Sequence, residues 1–166
     1  MKLGMVGLGR MGSGMTERLR QDGHEVMTYD PQVESTASSL EELATQLEPP
    51  RVVWMMIPAG EITENTMTEL LGILEPGDVL VDGGNSNFHD SQRRNAEASE
   101  KGVDFLDVGV SGGIWGLKEG FCLMAGGSDN GVALLQPALE TLAPSGGWAH
   151  VGPSGAGHFV KMVHNG

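Results

Sequence analysis

The residues best equipped for chemistry in this chain of 166 residues lie near its two ends. In the run GLGRMG, Gly7, Gly9 and Gly12 follow the pattern G-x-G-x-x-G, with Leu8, Arg10 and Met11 between them. Glycines at this spacing permit a tight turn, let backbone approach a pyrophosphate, and allow a helix to close on a strand. The helix N-terminus adds free N–H donors and the positive end of its dipole. Near the other end, GAGHFVKMVHNG sets Lys161 among Phe159, Val160, Met162 and Val163, with His164 and Asn165 behind it. A lysine held partly out of water loses affinity for its proton, and a neutral amine can accept a proton from a hydroxyl. On a helix, residues 158, 161 and 165 share a face, with 164 beside it. His158, Lys161, His164 and Asn165 then gather on one side, and Phe159, Met162 and Val163 on another. Taken alone, that pattern also suits an amphipathic helix with a solvated polar face.

The two groups can act together only if the fold brings them to one place, and the sequence between them reads as alternating strands and helices. Residues 2–6 form a buried strand pattern, 11–22 a helix closed by Gly23, and 25–30 a second strand. Ser39, with Glu42 three residues on, makes a capping box for a helix that Pro49 and Pro50 end. Strands follow over 51–57, 79–84 and 103–110, with helices over 61–74 and 88–100 between them. After a glycine-rich loop come a strand over 121–126, a helix over 130–142, a short strand over 148–151 and a final helix beginning between 154 and 157. This alternation predicts an α/β fold, a Rossmann-like doubly wound sheet, mainly parallel and covered on both faces. Residues 1–152 are expected to form a dinucleotide-binding domain, and 153–166 the start of a helix leading out of it.

In this frame the GLGRMG turn follows a strand and opens a helix. Asp30 ends the second strand close to the roughly 20-residue spacing expected of a carboxylate that accepts from the adenosine ribose 2′-hydroxyl. The same carboxylate opposes a 2′-phosphate, and Pro31, Gln32 and Val33 provide no cation to neutralise one, so NAD is favoured over NADP. Three more glycine-containing stretches lie where strands end: IPAG from Ile57 through Pro58 and Ala59, DGGNS with Asn85 and Ser86, and GVSGGIWG with Ser111. Their side chains offer uncharged hydrogen bonds that can orient a ligand. Trp115 suits packing as well as ligand contact.

A formal net charge of −12 argues against nucleic acid or an anionic membrane surface as partner; an anionic small molecule needs local groups that outweigh the mean field. The single Cys122, in FCLMAG, excludes a disulfide within the chain, and its apolar run predicts a buried core thiol. The first apolar run is too brief for a signal peptide, and no stretch approaches a membrane span. The expectation is a soluble, cytoplasmic protein without a metal site.

GLGRMG, DGGNSNFHDS with Arg93 and Arg94, FLDVGVSGGIWGL, GFCLMAGG and GPSGAGHFVKMVHNG together resemble the decarboxylating 6-phosphogluconate dehydrogenases, in particular their shorter, NAD-preferring bacterial and archaeal type. The resemblance covers the whole chain. The wider β-hydroxyacid dehydrogenase group shares the glycine fingerprint, an S-G-G stretch and a helix lysine, whereas DGGNS and KMVHN point to the phosphogluconate branch. The resemblance implies that Lys161 is the general base toward the 3-hydroxyl of 6-phosphogluconate as hydride passes to the nicotinamide. It implies that Ser111, Gly112, Gly113, His164 and Asn165 hold substrate and that Asn85 touches both substrate and cofactor. Gly7, Leu8, Gly9, Arg10, Met11, Gly12, Asp30, Ile57, Pro58 and Ala59 would line the cofactor. Members of this family continue the last helix into a helical domain that carries the acid protonating the enediol and the phosphate ligands. The chain therefore reads as the coenzyme-binding part of a longer homo-oligomeric enzyme of the pentose phosphate pathway, inactive by itself. Two other readings stay open: an enzyme for another β-hydroxy acid, such as 3-hydroxyisobutyrate, and a dinucleotide-binding module without catalysis.

Overall fold

The computed structural model describes residues 1–112 and 115–165. In chain order the elements are β1 (Lys2–Val6), α1 (Arg10–Gln21), β2 (Glu25–Tyr29), α2 (Leu40–Thr45), β3 (Val52–Met55), α3 (Glu61–Leu71) and β4 (Val79–Asp82). There follow α4 (Phe88–Glu100), β5 (Asp104–Ser111), α5 (Gly116–Glu119), β6 (Cys122–Gly126), α6 (Asp129–Leu142), β7 (Trp148–Gly152) and α7 (Ala156–Asn165). Among the described residues the strands form one sheet in the order β2-β1-β3-β4-β5-β6-β7. Neighbours are parallel except β5 and β6, which run antiparallel with Ser111 opposite Cys122.

Side chains alternate along each strand, so adjacent residues feed two separate apolar layers. Leu3, Met5, Trp54, Val81, Leu106 and Val108 pack with Met15 and Leu19 of α1 and Leu135 and Leu139 of α6. On the other face Val6, Val53, Met55, Leu80 and Phe105 pack with Leu43 of α2, Met67 and Leu70 of α3 and Ala98 of α4. Burial on both faces explains why β3 and β4 carry almost unbroken apolar runs. The doubly wound, mainly parallel sheet expected from the sequence is the fold observed.

Local signals explain the element ends. Gly23, at φ 89°, closes α1 with its N–H on the oxygen of Arg20. Ser39 Oγ accepts the Glu42 N–H at 3.0 Å, as the capping box predicts. The Glu42 carboxylate, however, returns to the N–H and hydroxyl of Ser38. The third helix, α3, stops at Leu71, short of residue 74, and a four-residue helix, α5, forms where the sequence shows only a glycine-rich loop. Cys122 is not the buried thiol its apolar run predicts: it is exposed at the first residue of β6, although Phe121 and Leu123 on either side of it are buried. Among the described residues no helix is long and apolar enough to cross a membrane.

Candidate functional site

β1 and α1 meet at the glycine turn, and its three glycines have three different tasks. Gly7 has φ 98° and donates its N–H to the Tyr29 oxygen at 2.9 Å; a Cβ there would lie 2.2 Å from the Met56 oxygen. A Cβ at Gly12 would lie 2.0 Å from the Gly7 oxygen, so the helix can close on the turn only without a side chain. A Cβ at Gly9 would meet nothing within 4 Å. Gly9 is the N-cap of α1, and the open space above it faces the N–H groups that a helix leaves unpaired in its first turn.

Asp30 follows β2. Its Oδ2 accepts the Leu8 N–H and its Oδ1 the Gln32 N–H, both at 2.7 Å, which fixes the carboxylate beside the glycine turn.

Asn85 sits in the loop after β4, and a buried polar network shapes that loop. Asp82, fully buried at the end of β4, accepts the Gly84 N–H at 2.9 Å and the Ser86 hydroxyl at 2.6 Å. Arg94 of α4, only 1% exposed, reaches Asp82 Oδ2 at 3.3 Å, Ser86 Oγ at 3.0 Å and Glu64 Oε1 of α3 at 2.7 Å. The Arg93 guanidinium beside Glu64 holds that carboxyl below its usual range, with Arg94 adding to the effect against partial burial. This network escaped the sequence reading, although acids and paired arginines flanking buried strands were its visible signal.

α7 carries Lys161. Of the face that the sequence grouped together, His158 and Lys161 are turned toward the protein, whereas His164 is exposed. His158 is 3% exposed, with Nδ1 2.6 Å from Ser91 Oγ of α4, so it belongs to the α4 contact. Lys161 is half-buried, and its Nζ donates to the main-chain oxygen of Val110 at the end of β5. Burial draws its amine below the ordinary lysine range. The apolar residues lie outside instead: Phe159, Met162 and Val163 are 44%, 48% and 60% exposed.

A cleft of about 390 Å³ gathers most of these parts, though Gly7, Asp30 and His158 do not line it. Gly9, Arg10, Met11 and Gly12 form one wall, Met56, Ile57, Pro58 and Ala59 another, and Gly83, Gly84, Asn85, Val110 and Lys161 complete it. Gly83, Gly84 and Val110 lie within the glycine-containing stretches DGGNS and GVSGGIWG but were not among the expected site residues, and Met56, which adjoins Ile57, was not anticipated. Ser111 directly follows Val110, but neither it, Gly112 nor His164 lines the cleft. Gly113 lies outside the described residues, as does the side chain of Asn165. Trp115 is exposed. A larger hollow of about 550 Å³ beside α1 and β2 includes Leu8 but none of the other predicted residues.

The strand order reverses between β1 and β3, and the cleft opens where those two strands end. Open sheets of this kind take dinucleotides at such a reversal, and the fold and cleft together define a Rossmann-type dinucleotide-binding domain. Comparison with known proteins narrows the class. The family profile described as the NAD binding domain of 6-phosphogluconate dehydrogenase matches residues 2–152, and the chain belongs to that family. It is similar to the NAD(+)-dependent, decarboxylating 6-phosphogluconate dehydrogenase of Haloferax volcanii, at 41% identity over all of this chain and 58% of the relative. Among solved structures it is similar to Plasmodium falciparum 6-phosphogluconate dehydrogenase, with TM-score 0.87 and 30% identity over 99% of this chain and 40% of that one. It is also similar to Mycobacterium tuberculosis 3-hydroxyisobutyrate dehydrogenase, with TM-score 0.89 and 28% identity over 99% of this chain and 58% of that one. The chain thus spans three-fifths or less of each of these proteins.

Proposed function

We propose that this chain is the coenzyme-binding part of an enzyme that oxidises and decarboxylates 6-phosphogluconate to ribulose 5-phosphate and CO2, using NAD in preference to NADP. The observation that carries the reading is that the open N-terminus of α1, Asn85 and the half-buried Lys161 line one cleft. The residues fit a dinucleotide: the space over Gly9 admits a pyrophosphate, and the Asp30 carboxylate is held beside it to accept from a ribose hydroxyl. The Haloferax volcanii relative is named as NAD(+)-dependent, whereas the Plasmodium falciparum structure is described with NADP+. The carboxylate of Asp30, with no cation at 31–33, favours the former choice here.

A bound nicotinamide supplies the acceptor for hydride. The neutral amine of Lys161 accepts the proton of the substrate's 3-hydroxyl, whose O–H electrons complete the carbonyl as the C–H pair leaves with hydride. The resulting ammonium donates a hydrogen bond to the new carbonyl oxygen. It stabilises the charge that develops there when the bond to the carboxylate breaks and CO2 departs. Asn85, at the cleft, orients substrate and cofactor relative to one another; Ser111, Gly112, Gly113, His164 and Asn165 hold the rest of the substrate. In this reading residues 1–152 are the dinucleotide domain and α7 connects it to the remainder of a cytoplasmic homo-oligomer.

Calorimetry with NAD tests the first half, and NADH formation from 6-phosphogluconate by the enzyme that carries this chain tests the second. Saturable NAD binding and turnover that depends on Lys161 are the expected results. Faster turnover of 3-hydroxyisobutyrate than of 6-phosphogluconate would move the chain to the other branch, a reading kept in view by its likeness to the Mycobacterium tuberculosis enzyme.

A further inference from the structure

We propose that Asp107, which lies outside the cleft, is the positioning residue for Lys161: its buried carboxylate clamps the first turn of α7 to β5 and so sets where Lys161 stands at the cleft. This inference rests on the reading of Lys161 as the proton acceptor. Asp107 is fully buried in the middle of β5. Its Oδ1 accepts the Gly155 N–H at 2.8 Å and its Oδ2 the His158 N–H at 3.0 Å. Gly155 immediately precedes α7 and His158 lies in its first turn, where a helix has N–H groups without intrahelical partners. The cap therefore comes from a strand, not from the residue preceding the helix.

The contact between α7 and the sheet is made largely through backbone. A Cβ on Gly157 would lie 2.3 Å from the oxygens of both Asp107 and Met124, and a Cβ on Gly109 would lie 2.7 Å from Lys161 Cβ. Glycines let the helix sit flush on β5 and β6, but they remove the interlocking side chains that ordinarily fix a helix along its axis. Polar ties take over that task. Asp107 holds positions 155 and 158; three residues further along β5 the Val110 oxygen accepts from Lys161, three residues further along α7. Both oxygens of the carboxylate are in use, which a neutral amide cannot reproduce with its single acceptor. An added Cβ at Gly126 would lie within 3 Å of both carboxylate oxygens, so the sheet beside Asp107 is also shaped to admit it. Burial pushes the Asp107 carboxyl up, while the N–H bonds from His158 and Gly155 oppose that effect. A fold gains little by burying an acid where an apolar residue would serve, so the carboxylate's use lies in the geometry it imposes.

The test labels the lysines at positions 2, 101, 118 and 161 competitively with a trace of acetic anhydride across pH, read by mass spectrometry. In the unaltered chain Lys161 is expected to titrate below the ordinary lysine range, because of its burial. In Asp107→Asn its titration is expected to move up toward that ordinary range, as the displaced amine regains water. NAD affinity, measured by calorimetry, stays within about twofold because the glycine turn is untouched. Asp107→Thr, a strand-favouring residue with one hydroxyl acceptor, is the second variant and should give a smaller rise in the same direction. An unmoved Lys161 in either folded variant overturns the proposal, and so does loss of folding in both, which would make Asp107 a residue of the whole fold. Failure of the proton-acceptor reading shows separately, as retained turnover in Lys161→Met while the Asp107 variants still shift the labelling of Lys161.

Discussion

The Leu8 N–H points at Asp30 Oδ2 across 2.7 Å, so the carboxylate after the second strand is held in place by the glycine turn itself. A group oriented in this way loses little freedom when it meets a ribose hydroxyl, and its charge stands against a phosphate at the same place. Asp30→Ser combined with Gln32→Arg is expected to move the ratio of NAD to NADP affinity toward NADP by about tenfold or more, equivalent to ~1.4 kcal/mol. Calorimetric titration of both cofactors reads this directly; an unchanged ratio would refute the assignment of Asp30.

Lys161 is the predicted proton acceptor. In the enzyme that carries this chain, Lys161→Met should lower turnover by at least the ~10²-fold typical of losing a general acid or base, with NAD affinity nearly intact. Steady-state NADH formation beside a binding isotherm separates the two effects.

The glycines of the turn should fail in different ways. Gly12→Ala forces a Cβ against the Gly7 oxygen and is expected to cost about 1–3 kcal/mol of stability, seen as a lower urea midpoint. Gly9→Ala meets no protein atom within 4 Å, so folding should persist while NAD binding weakens, since the methyl group enters the space kept for the ligand.

Lys161 also makes stability depend on pH with a definite sign. Burial lowers its amine below the ordinary 10.5, so between the lowered value and 10.5 the unfolded chain binds more protons than the folded one. Stability from this group therefore rises with pH through that window. Urea unfolding of the unaltered chain and of Lys161→Met, compared at neutral and alkaline pH, should show the difference moving in favour of the unaltered chain as pH rises. Movement in the opposite direction would mean that the amine is stabilised as an ammonium.

Arg94 compensates the fully buried Asp82. Arg94→Met would leave that carboxylate without its guanidinium, at an expected cost of about 3–5 kcal/mol in urea unfolding. The loop bearing Asn85 should shift as well, visible in the amide resonances of Gly84 and Asn85.

What the sequence determined by itself was local. Strand and helix identities follow from the period of apolar residues within a few neighbours, and the ends at Gly23 and Ser39 from single-residue chemistry. The glycine turn was legible because its pattern lies within six residues between a strand and a helix, although the Met56 and Tyr29 oxygens that also constrain Gly7 come from just past β3 and from β2. The limits were equally physical. Whether Cys122 is covered depends on where β6 begins relative to the layers above it, and its apolar neighbours carry no information about that. Which side of α7 faces inward was decided by Gly109, Gly126 and Gly157, which let the helix settle on bare backbone with His158 and Lys161 inside and Phe159 outside. Asp107 with Gly155, and Asp82 with Arg94 and Glu64, join residues distant in sequence, so no spacing rule marks them. Only the tertiary structure brings the glycine turn, Asn85 and Lys161 to one cleft, because the switch in strand order between β1 and β3 and the clamp on α7 are both non-local.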